Sequence, residues 1–257
     1  MKHLVSDDIY RTPQRKISWF ARIFPNLVMY STFLGIIVRS SSKAKRGLYD
    51  SKAWADSSLK VLRALESVGV DVTVEGLDIL RKLDSPCVFI GNHMSTLETM
   101  VLPGIIQSFL EVTFVVKESL VQYPVFKHVM KSRDPVLVGR VNPREDLRTV
   151  LEGGQEKLRG GTSMIIFPQT TRSLGLDIEQ FNTIGVKLAR RAQVPVVPVA
   201  LKTDAWGIGR IVKEFGRIDL SKRVRFAFGE PVTISGSGKE EHESVIEYIS
   251  GKLKKWS

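Results

Sequence analysis

The chain has 257 residues, 43% of them hydrophobic, with no internal repeat, low-complexity tract or glycine- or proline-rich linker, which suits one sizeable domain with some added elements. Its single cysteine, Cys87, excludes an internal disulfide and a multi-cysteine zinc site, and its place in an apolar run makes it a small core residue. The net charge of +11 favours anionic partners, namely a phospholipid surface, a phosphate-bearing substrate, nucleic acid or an acidic carrier protein, without choosing among them.

Residues 17–38 are mostly apolar but are interrupted by Arg22 and Pro25. The uninterrupted piece, residues 27–38, falls short of the roughly 20 residues that a spanning helix needs. Pro25 predicts two short helices with a bend. Arg11, Arg15 and Lys16 precede the stretch, and Arg39, Lys43, Lys45 and Arg46 follow it. Cations on both sides give no topology signal. They fit bent helices lying in the cytoplasmic face of a bilayer, with the charges on anionic headgroups. A helix packed on the core and a single spanning helix are the alternatives. The charges after Val38 make a poor signal-peptide cleavage region. The expected division is therefore membrane-associating helices in residues 1–47 and one main domain in residues 48–257, with an intracellular compartment as the default.

Residues 53–68 carry Trp54, Leu59, Leu62 and Leu65 at helical spacing, and residues 70–74 alternate like a strand. Residues 87–90 form a continuous apolar run of the kind found in buried parallel strands. A helix over 96–109, bent at Pro103, a strand over 112–116, a helix over 124–131 and a short strand over 136–138 follow. Asn142-Pro143-Arg144-Glu145 reads as a helix start, with Asn as cap and Pro in the first turn; that helix closes at Gly160-Gly161. Strands over 164–167, 196–201 and 224–228 alternate with helices over 184–192 and 240–254. The alternation predicts an α/β fold with a mostly parallel sheet covered by helices on both faces. Ligands of such sheets gather where strands end and loops begin.

Two polar clusters sit at such ends. Asn92-His93 follows Cys87–Ile90, and Glu98 comes five residues after the histidine. On one straight helix, five steps of ~100° would turn the two side chains ~140° apart. With His93 in the loop and Glu98 in the first turns of the helix, capped by Ser95 or Thr96, they can meet. A neutral His93 can then take a proton from a substrate hydroxyl as general base, with Glu98 holding the far ring nitrogen. Of the other histidines, His3 is terminal, His128 lies among lysines and His242 among glutamates. The second cluster, Thr170, Thr171 and Arg172, offers hydroxyls, loop amides and a guanidinium that suit a phosphate. Arg140 is a second cation at a strand end, with a salt bridge to Glu145 or Asp146 as its structural alternative. Each of these signals alone also fits an ordinary packed histidine or a surface turn. No Gly-x-Ser-x-Gly elbow, P-loop, full dinucleotide glycine pattern or paired-histidine zinc helix is present. The basic residues are not interleaved with aromatics as in single-strand nucleic-acid binders.

Four blocks in order resemble those of the glycerolipid acyltransferases, the family that includes the lysophosphatidic acid acyltransferases. Asn92-His93 with Glu98 is similar to the His-x4-Asp box, and Val138-Gly139-Arg140 to the second block. Phe167-Pro168-Gln169-Thr170-Thr171-Arg172-Ser173 is similar to Phe-Pro-Glu-Gly-Thr-Arg-Ser, and residues 194–199 to Val-Pro-x-x-Pro-Val. The resemblance implies His93 as general base and Glu98 as its partner, with Arg140, Thr171 and Arg172 on the acceptor phosphate, to which the hydroxyl cluster adds Thr170. It implies transfer of a fatty acyl group to a lysophospholipid, first of all 1-acyl-sn-glycerol-3-phosphate, with acyl-CoA or acyl carrier protein as co-substrate and no cofactor or metal. It also implies an anionic phospholipid membrane as partner, and no nucleic acid. Three positions depart from the pattern: Glu98 for aspartate, Gln169-Thr170 for Glu-Gly, and Asn182 after Phe181 where a basic residue is common. They leave room for another acceptor, such as a lyso-ornithine lipid, or for an inactive membrane-binding homologue.

Overall fold

The computed structural model describes residues 7–123, 126–169, 171–209 and 212–257; His3, Pro124 and Thr170 lie outside them. The three most deeply buried strands set the frame. β3 (Val88–Gly91), β6 (Ser163–Ile166) and β7 (Val196–Lys202) pair in parallel, with Val88 beside both Met164 and Val196. Apolar residues on both faces of a strand can be buried only if helices cover both sides. The remaining strands are β1 (Ile9–Arg11), β2 (Val72–Glu75), β4 (Val112–Lys117), β5 (Val136–Val138) and β8 (Val224–Phe228). Their order is β1-β2-β8-β7-β3-β6-β4-β5. Only β1 with β2 and β7 with β8 run antiparallel, so the sheet is mostly parallel, as the alternation predicts.

Side chains two apart share a face, and the sheet sorts its core accordingly. Phe89, Ile165, Val197 and Val199 join one cluster; Val88, Ile90, Met164 and Ile166 join the other. The first cluster is closed by α2 (Pro25–Lys45), α3 (Ser51–Ser67) and α5 (Leu97–Ile106), through Met29, Phe33, Leu62, Leu65 and Ile105. The second is closed by α7 (Pro143–Arg159), α8 (Ile184–Ala192) and α9 (Lys239–Lys255), through Val150, Leu158, Val186, Val245 and Ile249. Among the described residues three short α-helices remain, α1 (Trp19–Ile23), α4 (Leu77–Lys82) and α6 (Lys127–Ser132), with a 3-10 turn over Glu118–Gln122. Gly104 lets α5 lie close on α3, since a Cβ there would stand 2.8 Å from Ser58 Cβ.

Two expectations change. Pro25 does separate two helices, but it opens the second as a favourable first-turn residue, and α2 runs for 21 residues rather than being short. Its inward stripe, Met29, Phe33 and Ile37, recurs every four residues and packs on the core, which sustains the helix past Gly35 into the cationic end. No helix among the described residues is long and apolar enough to cross a membrane. The strand Ile9–Arg11 has no sequence counterpart, because three residues are too few to show alternation. It is anchored by Tyr10, whose hydroxyl donates to Glu66 Oε1 at 2.7 Å. The helix expected over 124–131 starts outside the described residues and is present as Lys127–Ser132.

The carboxyl ends of β3 to β7 all open on one edge of the sheet, so their following loops converge there. Cys87, just before β3, is fully buried, and burial pushes its thiol up to about 12. Iodoacetamide at pH 8 should therefore leave the native thiol unmodified and label it only after unfolding. Alkylation of folded protein at the rate of the denatured chain, followed by mass, would contradict this burial.

Candidate active site

His93 leaves the end of β3 under tight control. The preceding Asn92 is buried, donates from Nδ2 to Leu201 O at 2.8 Å and accepts from Leu201 N at 2.9 Å. Its side-chain amide thus adds one rung to the β3–β7 ladder. The His93 N–H donates to Gln169 Oε1 at 3.1 Å, and Ser173 N–H donates to His93 O at 2.9 Å. The loop after β6 therefore grips the His93 backbone from both sides. The imidazole lies flat on Phe167, with centroids 4.6 Å apart and planes 12° apart.

His93 sits in the loop and Glu98 in the first turn of α5, so the two side chains meet: His93 Nδ1 stands 2.9 Å from Glu98 Oε1. The carboxylate is fully buried, and the segment wraps around it. Oε1 also accepts from Met94 N–H at 2.7 Å and Ser95 N–H at 2.8 Å. Oε2 accepts from the Ser95 hydroxyl at 2.9 Å and the Thr203 hydroxyl at 2.6 Å. Burial pushes the Glu98 carboxyl up. The hydrogen bond and charge of His93, with the Thr203 hydroxyl and the Ser95 amide, outweigh it, and the net shift is down. An ionised Glu98 makes Nδ1 the ring's donor and leaves the lone pair on Nε2. The expected helix cap takes another form: Ser95 Oγ accepts from Leu97 N–H at 3.1 Å, and Thr96, at the cap position, makes no side-chain cap bond.

A cavity of about 650 Å³, within the ordinary size of a ligand site, opens at His93. Phe167, Phe114, Val116 and Met100 line it, and it reaches back to Tyr49, Trp54 and Arg133. The Arg133 guanidinium stands 5.4 Å from the Trp54 ring and donates to Tyr49 O at 2.8 Å. Phe33, Ile36 and Ile37 of α2 form part of the wall. Arg140, Thr171 and Arg172 line the same cavity as His93. Thr170 is outside the described residues. Arg140 follows β5 in a left-handed turn at φ +57°; Asp146 of α7 accepts from Gly139 N–H at 3.0 Å and Asn142 caps the helix start. Arg172 is held by Glu214 Oε1 at 3.3 Å and Lys213 O at 3.4 Å.

Two departures from the family pattern acquire structural jobs. Gln169 is buried; its Oε1 takes the His93 amide while Nε2 donates to Gly175 O at 3.4 Å, which a carboxylate could not do. Asn182 donates to Pro168 O and accepts from Ile184 N–H at 3.0 Å, so it shapes the loop below the mouth. Sequence reasoning missed Thr203, which lies 105 positions from Glu98 just past β7 and carries no local signal. It also left Phe167 without a role, although the residue stands in a quoted block.

The chain matches the family model for acyltransferases over residues 71–202, just over half of its length. It belongs to the acyltransferase family. A probable 1-acyl-sn-glycerol-3-phosphate acyltransferase of Mycoplasma genitalium is 27% identical over 228 residues, 85% of this chain and 80% of the relative. A 1-acyl-sn-glycerol-3-phosphate acyltransferase of Pseudomonas aeruginosa is 31% identical over 132 residues, 51% of this chain and 49% of the relative. The crystal structure of the 1-acyl-sn-glycerophosphate acyltransferase of Thermotoga maritima shares the fold with a TM-score of 0.67 at 21% identity, covering 91% of this chain and 95% of that one.

In this acyltransferase, Thr203→Val should cost about 1–3 kcal/mol, because it removes a donor from a buried carboxylate. The folded Glu98 carboxyl is depressed, so its stabilisation is present above the unfolded pKa and is lost as pH falls through the folded one. Removing a group that lowers it raises the folded pKa, so acid unfolding followed by circular dichroism should shift to higher pH. An unchanged acid midpoint and unchanged stability would remove Thr203 from the site.

Proposed function

We propose that the protein transfers a fatty acyl group from a thioester, acyl-CoA or acyl carrier protein, to the free hydroxyl of 1-acyl-sn-glycerol-3-phosphate, giving phosphatidic acid. The observation that carries this reading is the His93–Glu98 pair opening onto one cavity that is apolar in its depth and bears Arg140, Thr171 and Arg172. The names of the Mycoplasma and Pseudomonas relatives support the same acceptor.

The residues divide the work as follows. His93 Nε2 accepts the proton of the acceptor hydroxyl as its oxygen attacks the thioester carbonyl. Glu98 stabilises the imidazolium formed and fixes the ring through Nδ1. The C–S bond then breaks, and the proton passes from His93 to the thiolate. Arg140, Thr171 and Arg172, with Thr170, hold the acceptor phosphate. Arg172 reaches it by exchanging its half-buried partner Glu214 for the acceptor phosphate, which takes two parallel hydrogen bonds from a guanidinium. The acyl chain fills the depth between Phe114, Met100 and Trp54.

The protein works at a membrane, on the cytoplasmic face, with residues 1–47 as the contact and residues 48–257 as the acyltransferase domain. Trp19, Ile23, Leu27 and Val38 are more than half exposed, while Met29, Phe33 and Ile37 face the core. Arg22, Arg39, Lys43 and Lys45 of the same two helices are exposed as well, as headgroup contacts require. The same helix α2 walls the cavity, so the lipid substrates pass from bilayer to site over a short distance.

Purified protein in vesicles, given labelled acyl-CoA and lysophosphatidic acid, should form phosphatidic acid. His93→Ala should abolish turnover, and Glu98→Gln should lower it by up to ~10⁴-fold; near-wild-type turnover in either would end this mechanism. Ile23→Glu with Leu27→Glu should release the protein from anionic vesicles in a sedimentation assay while its melting temperature holds. Retained sedimentation would move the membrane contact elsewhere.

A further inference from the structure

Thr96 has no structural task that its burial explains. It is 3% exposed, stands at the cap position of α5, and its Oγ1 has no hydrogen-bond partner among the described residues. It lines the cavity together with His93. Thr99 and Met100, three and four residues on, line the same wall, so this face of α5 looks into the cavity. The neighbouring hydroxyls are occupied: Thr99 donates to Thr96 O at 2.7 Å, Thr113 to Arg133 O at 2.8 Å, and Ser95 to Glu98. A buried hydroxyl without a partner costs about 1–3 kcal/mol, and a ligand atom that accepts from it recovers that cost.

We propose that Thr96 is a catalytic residue whose hydroxyl donates to the carbonyl oxygen of the acyl thioester. The inference rests on the acyl-transfer reading above. The chain from His93 to Glu98 folds back on itself, and Thr96, two residues before Glu98, lines the cavity with His93 at one end of the apolar wall that Met100 continues. The scissile carbonyl has to lie at that junction, with its alkyl chain along Met100 and Phe114 and its carbon before Nε2. As the alcohol oxygen bonds to that carbon, the carbonyl oxygen takes up the electron pair. Thr96 Oγ1 holds the oxyanion by hydrogen bond at the positive end of α5, without giving up its proton. When the C–S bond breaks, the pair returns to the carbonyl, and the alcohol proton leaves with the thiol by way of His93.

Thr96→Val keeps the shape and removes the donor; Thr96→Ser keeps the donor. With acyl-CoA and lysophosphatidic acid, Thr96→Val should lower kcat by about 10²-fold at nearly unchanged KM, as loss of one oxyanion donor does. Thr96→Ser should stay within a few-fold of wild type. The melting temperature of Thr96→Val should be unchanged or higher, because an unpaired buried hydroxyl is gone. The second measurement uses an unreactive acyl-CoA ketone with a ¹³C-labelled carbonyl one methylene from sulfur. Its infrared stretch should fall on binding to wild type and to Thr96→Ser, and not on binding to Thr96→Val. Equal bands in wild type and Thr96→Val, failure of the ketone to bind, or a kcat that follows melting temperature rather than the hydroxyl would overturn the proposal. The infrared arm decides the role of Thr96 whichever acceptor the enzyme uses. Absence of transfer to lysophosphatidic acid by wild type counts instead against the acceptor proposed above.

Discussion

A buried carboxylate is the constraint around which this site is arranged. Removing Glu98 from water carries an effective penalty of several kcal/mol, and its side chain is fully buried. Five donors offset that penalty: the His93 ring, the Met94 and Ser95 amides and the Ser95 and Thr203 hydroxyls. Hydrogen bonds to a charged group are worth about 1.5–3 kcal/mol each, so the set is large enough to keep the group ionised. Four of the five come from residues 93–95 and the fifth from just past β7, so the donors tie two separate pieces of the chain to one carboxylate. The carboxylate therefore organises the loop and does not merely orient one ring.

The second control is on the His93 backbone. Gln169 and Ser173 clamp its amide and carbonyl from the loop after β6, while Asn92 fastens the preceding residue to β7. β3 lies between those two strands in the sheet, so the base is tied to both neighbours of its own strand. Phe167 then supports the ring from below. A base positioned in this way is held by several directional contacts, which suits a reaction that requires one nitrogen to face an incoming alcohol.

The cavity joins two parts of the chain that the sequence treats as separate. Residues 17–38 read as a membrane element from their apolar run and flanking cations. One stripe of α2 is instead committed to the core and to the cavity wall, and only the other faces outward. A helix with apolar residues nearly all round has two candidate partners, and local pattern cannot assign a side to each. The same limit hid the strand Ile9–Arg11, whose pairing depends on Val72–Glu75 some sixty positions away.

Much was legible without coordinates. Apolar runs such as residues 87–90 fix buried strands because few other structures hide consecutive hydrophobic side chains. The Asn142-Pro143 start is local chemistry, and the structure shows the cap hydrogen bonds it requires. The five-residue spacing of His93 and Glu98 allows a meeting only across a loop-to-helix junction, and that is where the pair lies. What the tertiary structure alone decided are contacts between distant residues. Thr203 completes Glu98 across 105 positions, Glu214 holds Arg172, and Gln169 serves the His93 amide in place of an acid. Such partners are chosen by strand order and loop convergence. A one-dimensional pattern records the periodicity of each element but not which ends are brought together.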